Sequence, residues 1–217
     1  LTNTPSLSTI YRVFKRRGLN IMKPKMKEEK RIIVKETVGE MGHIDLHQLS
    51  RDMFITPPPR PHYVVAIIDD FSRLAWCSVV ENKKALSVMF KSLEVIDNLY
   101  AHFGVKFSEI LSDNGAEFAS PSNKEEHPFE RLLLEFGIKH RYTRPYRPQT
   151  NGKIERFWRT LEDDVIDGTT FDDLENFKSE LNDYLIYYNY LRPHQALNGK
   201  TPKDFADKSV NNSVEKK

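Results

Sequence analysis

The order of predicted secondary structure constrains this fold most: three strands lie close together, and helices and strands then alternate. The strand runs are residues 43–49, 62–69 and 74–80, and the run HYVVAIID (62–69) is rich in β-branched residues. The proline cluster at 56–61 cannot lie inside a central strand and is therefore a connection. The short connections predict an antiparallel meander of three strands.

Apolar periodicity predicts the elements that follow. In chain order these are a helix at 85–100, a strand at 109–112, a helix at 129–136, a strand at 138–142, and helices at 151–165 and 171–190. Thr170 and Asp173 resemble a capping box at the start of the last helix. The βββ-α-β-α-β order predicts an α/β fold in which helices pack on the faces of a mixed sheet.

Composition narrows the class of protein. The chain has 217 residues, 39% of them hydrophobic, which suits one domain with small appendages. No apolar run reaches the ~18–20 residues needed to span a bilayer, so we expect no membrane-spanning segment. The single cysteine, Cys77, excludes an internal disulfide and a Cys-rich zinc module, and a reducing intracellular setting fits best. A start at Leu1 suggests a fragment of a longer chain.

Positive charge is concentrated in two segments although the net charge is only +2. Residues 1–35 carry ten Lys or Arg against two Glu, a net charge of +8, so the rest of the chain sums to −6. Residues 139–159 carry seven Lys or Arg against Glu155 alone, a net charge of +6. Two basic segments indicate a polyanionic partner, although each could equally be a solvated charged surface.

Three carboxylates stand out by their context. Asp45 lies inside an apolar strand, where an acid needs a partner or a metal. Asp113 follows a strand, and ligand sites gather at the carboxyl ends of strands. Glu155 lies on the polar side of an amphipathic helix, where it could also simply pair with the surrounding cations. Hard cations such as Mg²⁺ take carboxylate oxygens, so the three acids could hold two ions ~3.5–4 Å apart for phosphoryl displacement.

Four motifs carry a resemblance to a known family. They are IIDDFSR (67–73), LSDNGAEF (111–118), RPYRPQTNGKIERFWRTLEDD (144–164) and YYNYLRPHQALNGKTPKDF (187–205). Together they resemble the catalytic core of the DDE integrases and transposases, and the bacterial insertion-sequence group related to retroviral integrases is the most similar. The resemblance covers about residues 36–206, and the motifs keep the order of the family.

The resemblance implies an RNase H-like fold, with three antiparallel strands, then two parallel strands, and helices on both faces of the sheet. It implies that Asp45, Asp113 and Glu155 are the catalytic and metal-binding triad, with two Mg²⁺ or Mn²⁺ ions and no organic cofactor. It also implies cleavage of element ends and transfer of the freed 3′-OH into target DNA. The partners would be both DNAs and a second copy or more of the chain, in the cytoplasm or nucleoid of a bacterium.

The same resemblance divides the chain. Residues 5–18 are predicted to form a short basic helix, which is similar to the final helix of the helix-turn-helix domain preceding such cores. We therefore expect a remnant of that domain at 1–20, a basic linker at 21–40, the core with a C-terminal helical extension at 41–206, and a disordered tail at 207–217.

Candidate DNA-binding residues lie in and around the second basic segment. They are Arg144, Tyr146, Arg147, Gln149, Asn151, Lys153, Arg156 and Arg159. Arginines would grip phosphates without reading sequence, and an aromatic ring between arginines suits stacking on a base. Tyr146 could equally be a packed loop residue.

Two features depart from the family pattern. The 41 residues between Asp113 and Glu155 exceed the family's usual spacing, and we place the surplus in the polar segment 119–130. A surface insertion costs little, so it should not displace Glu155. The chain also lacks the cysteines for the zinc module of retroviral integrases, which favours the bacterial group.

Other polar residues have plainer interpretations. Asp69 and Asp70 are predicted to cap a turn, and Glu117 to order the turn after Asp113. His43 and His47 lie on one face of a strand with Asp45, and a zinc site there would need further ligands. Trp158 is predicted to be core.

Two rival functions remain open on sequence alone. One is a nuclease or resolvase of the same fold that only hydrolyses DNA. The other is a non-enzymatic DNA-binding protein descended from a transposase, although an intact set of three acids argues against it.

Overall fold

The computed structural model describes residues 5–19, 34–120, 126–143 and 151–214, with side chains through residue 208. The chain divides into two compact units, Leu1–Arg31 and Ile32–Lys217. In the first unit, α1 (Leu7–Arg16) begins where the Ser6 side chain accepts a hydrogen bond from the Thr9 backbone N–H. Most of its apolar side chains, including Leu7 and Tyr11, are exposed.

The second unit contains a five-stranded mixed sheet. The strands are β1 (Gly42–Gln48), β2 (Tyr63–Asp69), β3 (Ala75–Val80), β4 (Glu109–Ser112) and β5 (Lys139–Tyr142). The order across the sheet is β3-β2-β1-β4-β5. β1, β2 and β3 pair antiparallel, and β4 pairs parallel with β1 and β5. This confirms the predicted sheet of three antiparallel strands and two parallel strands.

Helices cover both faces of the sheet. They are α2 (Ala85–Phe103), α3 (Pro128–Glu135), α4 (Gly152–Leu161), α5 (Leu174–Tyr190) and α6 (Pro202–Val214). Ile44, Ile67 and Trp76 are paired across three strands and so share a face, where Trp76 stacks on His102 of α2. Asp45 points the opposite way, toward α4. Within the described ranges, no helix is long and apolar enough to cross a membrane.

Two predicted boundaries are wrong. The last long helix begins at Leu174 rather than 171, because Phe171 pairs in extended form with the segment around Phe54. Asp173 is the N-cap, and its carboxylate accepts from the backbone N–H groups of Glu175 and Asn176. The helix at 151–165 is α-helical only to Leu161 and continues as a π-helical turn over Glu162–Ile166.

The chain after the core differs from the tail that we predicted from residue 207. α6 continues to Val214. Pro202 suits the first turn of a helix, the Thr201 hydroxyl accepts from the Asp204 backbone N–H, and Lys203 pairs with Asp207 one turn on. These local contacts stabilise a helix whose composition is too polar for apolar periodicity to reveal.

Candidate active site

The parallel pairing of β1 with β4 brings Asp45 and Asp113 side by side. Gly42 is opposite Ile110 and His43 is opposite Leu111. Asp113 is the residue after β4, which ends at Ser112, and the same offset of 68 residues continued to this position would set it level with Asp45. The electrostatic coupling agrees, because Asp113 is one of the charges that raise the pKa of Asp45. The two aspartates that the sequence singled out therefore lie near each other, one in the central strand β1 and one just after the neighbouring strand β4.

Asp45 has an indole as its hydrogen-bond partner. Trp158 donates from Nε1 to Oδ2 of Asp45 at 2.9 Å, and its ring is packed in the core, as predicted. Burial raises the pKa of Asp45, and the negative charges of Asp113 and Glu117 raise it further, while hydrogen bonds from Trp158 and the Leu46 backbone oppose the rise. This carboxylate is consequently held where additional negative charge is unfavourable and a cation would be favourable.

The turn after β4 brings one further acid, Glu117, close to Asp113. Oδ1 of Asp113 accepts from the Gly115 backbone N–H at 2.9 Å. A Cβ at Gly115 would lie 2.8 Å from the Glu117 carboxylate and 2.9 Å from the Asp113 Oδ1, so any larger residue there would displace these two side chains. Asn114 fixes the turn to the end of β5 by donating to the Thr143 carbonyl at 3.1 Å. Glu117 thus lies against the turn, and its charge also reaches Asp45.

Side chains on one face of α4 contact alternate side chains of β1. Alternate residues His43, Asp45 and His47 of β1 meet Asn151, Trp158 and Glu162 respectively. Asn151, Glu155, Trp158 and Glu162 are spaced by four, three and four residues, so they form a single helical stripe. Glu155 therefore falls on the stripe that faces β1, one turn before the residue that contacts Asp45.

The stripe does not make a finished metal site. Glu155 is exposed, whereas Asp45 is half-buried. Within residues 5–19, 34–120, 126–143 and 151–214, no three His, Cys, Asp or Glu side chains are arranged to hold a metal ion. The structure thus brings Asp45 and Asp113 together and places Glu155 on the adjacent helix, without closing the three carboxylates around a common point. The donors themselves are carboxylates, and the charges of Asp113 and Glu117 raise the pKa of Asp45, so the cluster suits a hard divalent cation.

A buried polar network that sequence reasoning missed lies beside these acids. Asp70 is 1% exposed, and its Oδ1 contacts His43 Nε2 at 2.7 Å and Lys153 Nζ at 2.5 Å. Its Oδ2 accepts from the Lys35 backbone N–H at 3.0 Å. Burial alone would raise the pKa of Asp70, but the hydrogen bonds from His43 and Lys153 outweigh it and lower the pKa to about 2.

The neighbouring Asp69 plays the turn-capping role that we predicted for both residues. Its carboxylate accepts from the Ser72 backbone N–H and hydroxyl, both at 2.7 Å, and from the Gly39 N–H at 2.8 Å. Burial raises the pKa of Asp69. His43 and His47 are occupied by Asp70 and Glu162 respectively, so the described contacts give no support to zinc between them.

The second basic segment is used in three ways. Lys139 and Arg141 pair with Glu109, at 3.7 and 2.9 Å. Lys153 reaches inward to Asp70, while Arg156 and Arg159 are exposed on α4. Of the other predicted DNA-binding residues, Asn151 is buried beside His43. Arg144, Tyr146, Arg147 and Gln149 lie outside the described residues.

Comparison with protein families identifies the class. Two family models, each described as "Integrase core domain", match residues 44–148 and 136–202. Together they span β1 through α5, a range that includes both Asp45 and Asp113. The chain belongs to the integrase core domain family and carries a DDE transposase/integrase catalytic core.

Relatives come from mobile elements and viruses. The ORF3 protein of Spiroplasma virus SpV1-C74, whose name assigns it provisionally to the integrases, is 30% identical over 92% of this chain and 57% of that protein. The transposase of insertion sequence element IS904 from Lactococcus lactis is 28% identical over 44% of this chain and 36% of that protein. The chain thus spans about half the length of these relatives, or less.

Solved structures agree on the fold. The catalytic core domain of BIV integrase matches with a TM-score of 0.56 and 22% identity, over 81% of this chain and 99% of that one. The HTLV-2 integrase catalytic core domain in complex with magnesium matches with a TM-score of 0.52 and 16% identity, over 78% and 97%. The fold is that of the retroviral integrase cores, which is RNase H-like.

Proposed function

We propose that this chain is the catalytic part of a bacterial DDE transposase, which cleaves the ends of its element and joins them to target DNA. The observation that carries the proposal is the meeting of β1, β4 and α4, which bear Asp45, Asp113 and Glu155. Membership in the integrase core domain family and the similarity to an insertion-sequence transposase support it.

The three carboxylates have distinct positions in the proposed site. Asp45 and Asp113 supply oxygen ligands from β1 and from the turn after β4, and Glu155 supplies the third from the stripe of α4 that faces β1. Two Mg²⁺ or Mn²⁺ ions bound there would activate the attacking hydroxyl and stabilise the departing 3′ oxygen. Trp158 orients Asp45 through its hydrogen bond, as partners behind a metal ligand commonly do.

The chemistry consists of two displacements at phosphorus. In the first, a water oxygen forms a new P–O bond and the bond to the 3′ oxygen of the element breaks, so that a 3′-OH is freed. In the second, that 3′-OH forms a bond to a target phosphorus and displaces a target 3′ oxygen. The attacking hydroxyl loses its proton and the departing oxygen gains one, so each step balances without a protein nucleophile.

Arg156 and Arg159 are the described cations best placed to bind DNA. They are exposed on the helix that carries Glu155, whereas Lys139, Arg141 and Lys153 contact acids of the protein. Phosphate contacts of this kind fix the position of DNA without reading its sequence. We also expect the working protein to contain two or more copies, each contributing to the hold on DNA.

A branched DNA substrate tests the reaction without knowledge of the element's ends. In this substrate a free 3′-OH lies beside a strand junction, so joining reseals one strand and releases the other. We expect resealing with Mg²⁺ or Mn²⁺ and none with EDTA. Hydrolysis without resealing would establish the nuclease alternative, and DNA binding with neither reaction would establish the non-enzymatic one.

A further inference from the structure

We propose that Asp70 is a positioning residue that ties the strand of Asp45 to the helix of Glu155. The inference rests on the proposed function for its consequence in catalysis, but the structural connection is independent of it. The sequence predicts only a turn-capping role for Asp70. Its carboxylate is nevertheless among the most buried polar groups in the described chain.

The connection has one branch to each element. Toward β1, Asp70 binds His43 Nε2 at 2.7 Å, and His43 lies two residues before Asp45. Toward α4, Asp70 binds Lys153 Nζ, and Lys153 lies two residues before Glu155. Lys153 also donates to the Asp70 backbone carbonyl at 3.1 Å, so both the side chain and the main chain of Asp70 hold this ammonium.

His43 closes the connection from the other side. Its Nδ1 lies 3.4 Å from Oδ1 of Asn151, the residue that precedes α4. Asn151 is an N-cap residue whose side chain makes no capping bond to the helix, so its amide is directed to β1 instead. The first turn of α4 is therefore fixed by contacts with β1 and Asp70 at Asn151 and Lys153.

These contacts matter because of where Glu155 lies along α4. Trp158 fixes the later part of α4 to Asp45, and Asp70 fixes the beginning, so Glu155 lies between two anchored points. Loss of the first anchor frees the turn that carries Glu155, and small misplacements of a catalytic group cost about 10²-fold in rate. We therefore expect Asp70 to control the rate of reaction rather than the binding of DNA.

Lys153 distinguishes positioning from DNA binding. If Lys153 grips phosphate, Lys153→Gln should weaken DNA binding, as loss of a surface arginine would. If it positions α4, Lys153→Gln should lower the turnover of the branched substrate about ten-fold or more while the Kd for DNA stays within about two-fold. Lys153→Arg, which keeps the charge, should recover part of the lost turnover.

Hydrogen exchange measures the positioning directly. In this chain, Asp70→Asn and Lys153→Gln should each speed exchange of the amide hydrogens of residues 152–161 by about ten-fold, with α2 unchanged. Asp69→Asn is the matched control, because Asp69 is equally buried and adjacent but bonds to Ser72 and Gly39. It should leave the exchange of α4 unchanged.

The outcomes separate this proposal from the proposed function. Unchanged α4 exchange in Lys153→Gln, or weakened DNA binding with unchanged turnover, would overturn the positioning role. If Asp70→Asn does not fold, Lys153→Gln carries the test, because the Lys153 side chain is 21% exposed against 1% for Asp70. If the unmodified chain neither cleaves nor joins DNA, the proposed function fails, and the exchange data still decide whether Asp70 anchors α4.

Discussion

Asp45 in β1 and Asp70 just after β2 both contact α4, but the charges around them are opposite. Asp70 is met by His43, by the Lys153 ammonium and by a backbone N–H, and its pKa is lowered to about 2. Asp45 is met by a neutral indole and by the negative charges of Asp113 and Glu117, and its pKa is raised. One carboxylate is neutralised within the protein, and the other is left short of positive charge.

The difference separates a structural role for Asp70 from a chemical role for Asp45. A buried acid whose partners are all within the protein holds the neighbouring helix and strand in place, because loss of one partner leaves an unpaired buried charge. An acid without nearby positive charge favours the binding of a cation and does not itself stabilise the fold. The cations follow the same division, since Lys153 faces Asp70 while Arg156 and Arg159 face outward.

The largest effect should be the loss of catalytic rate when the charge of Asp113, beside Asp45, is removed. Asp113→Asn keeps the size of the side chain but removes a carboxylate oxygen from the proposed metal site, so cleavage and joining should both fall by at least ~10³-fold. Stability should stay the same or rise slightly in metal-free buffer, because repulsion with Asp45 is relieved. Assays of both reactions and thermal unfolding measure this.

Asp97→Asn, on the exposed side of α2, is the control and should change neither quantity. Survival of one reaction in Asp113→Asn would show that a single site does not perform both. Unfolding of the variant would show instead that Asp113 is a structural residue of its turn.

The second-largest effect should be the pH-dependent loss of stability in Asp70→Asn. The folded pKa of Asp70, about 2, lies below its ordinary value of 3.8, so its contribution is complete above pH ~4 and is lost as pH falls toward 2. Asp70→Asn should lower the free energy of unfolding by about 2 kcal/mol at neutral pH. The difference from the unmodified chain should shrink below pH ~4.

Urea unfolding across this pH range measures the difference. Asp69→Asn should show the opposite slope, because burial raises the pKa of Asp69 and its protonation stabilises the fold as pH falls. A difference for Asp70→Asn that stays constant from pH 7 to pH 3 would contradict the charged pairing of Asp70 with Lys153.

The third effect concerns the outward cations. Arg156→Ala with Arg159→Ala should weaken DNA binding about ten-fold at low salt, similarly on unrelated sequences, and reduce the salt slope by about 1.8. Lys139→Ala with Arg141→Ala is the matched control from the same basic segment, because those cations are held by Glu109. A full salt slope in the first variant would show that this face of α4 does not grip phosphate.

The sequence was sufficient for the sheet and for the candidate acids. β-branched runs and short connections predict the antiparallel strands, because strand pairing between neighbours in sequence is local. Asp45 could be found because an acid between Ile44 and Leu46 contradicts its apolar surroundings. The register between β1 and β4, which brings Asp45 beside Asp113, depends on residues more than sixty positions apart and could not be deduced from local pattern.

The role of Asp70 could not be predicted for a similar reason. In sequence, Asp69 and Asp70 are equivalent acids at the end of a strand. Successive side chains of an extended chain point in opposite directions, so one meets Ser72 and the other meets His43 and Lys153. A lysine within a basic segment likewise gives no local sign that it turns inward to an acid 83 residues earlier.

The smallest effect should be the stability of Asp45→Asn in metal-free buffer. Burial and the charges of Asp113 and Glu117 raise the folded pKa of Asp45, so the ionised group destabilises the fold at neutral pH. The Asn carbonyl oxygen can still accept from Trp158, so the variant should be slightly more stable than the unmodified chain at pH 7. Protonation removes the same cost from the unmodified chain, so the gain should shrink as pH falls through the raised pKa. Thermal unfolding at pH 7 and pH 4 measures both quantities, and a clear loss of stability at pH 7 would show that Asp45, like Asp70, is bound to its neighbours as a structural anion.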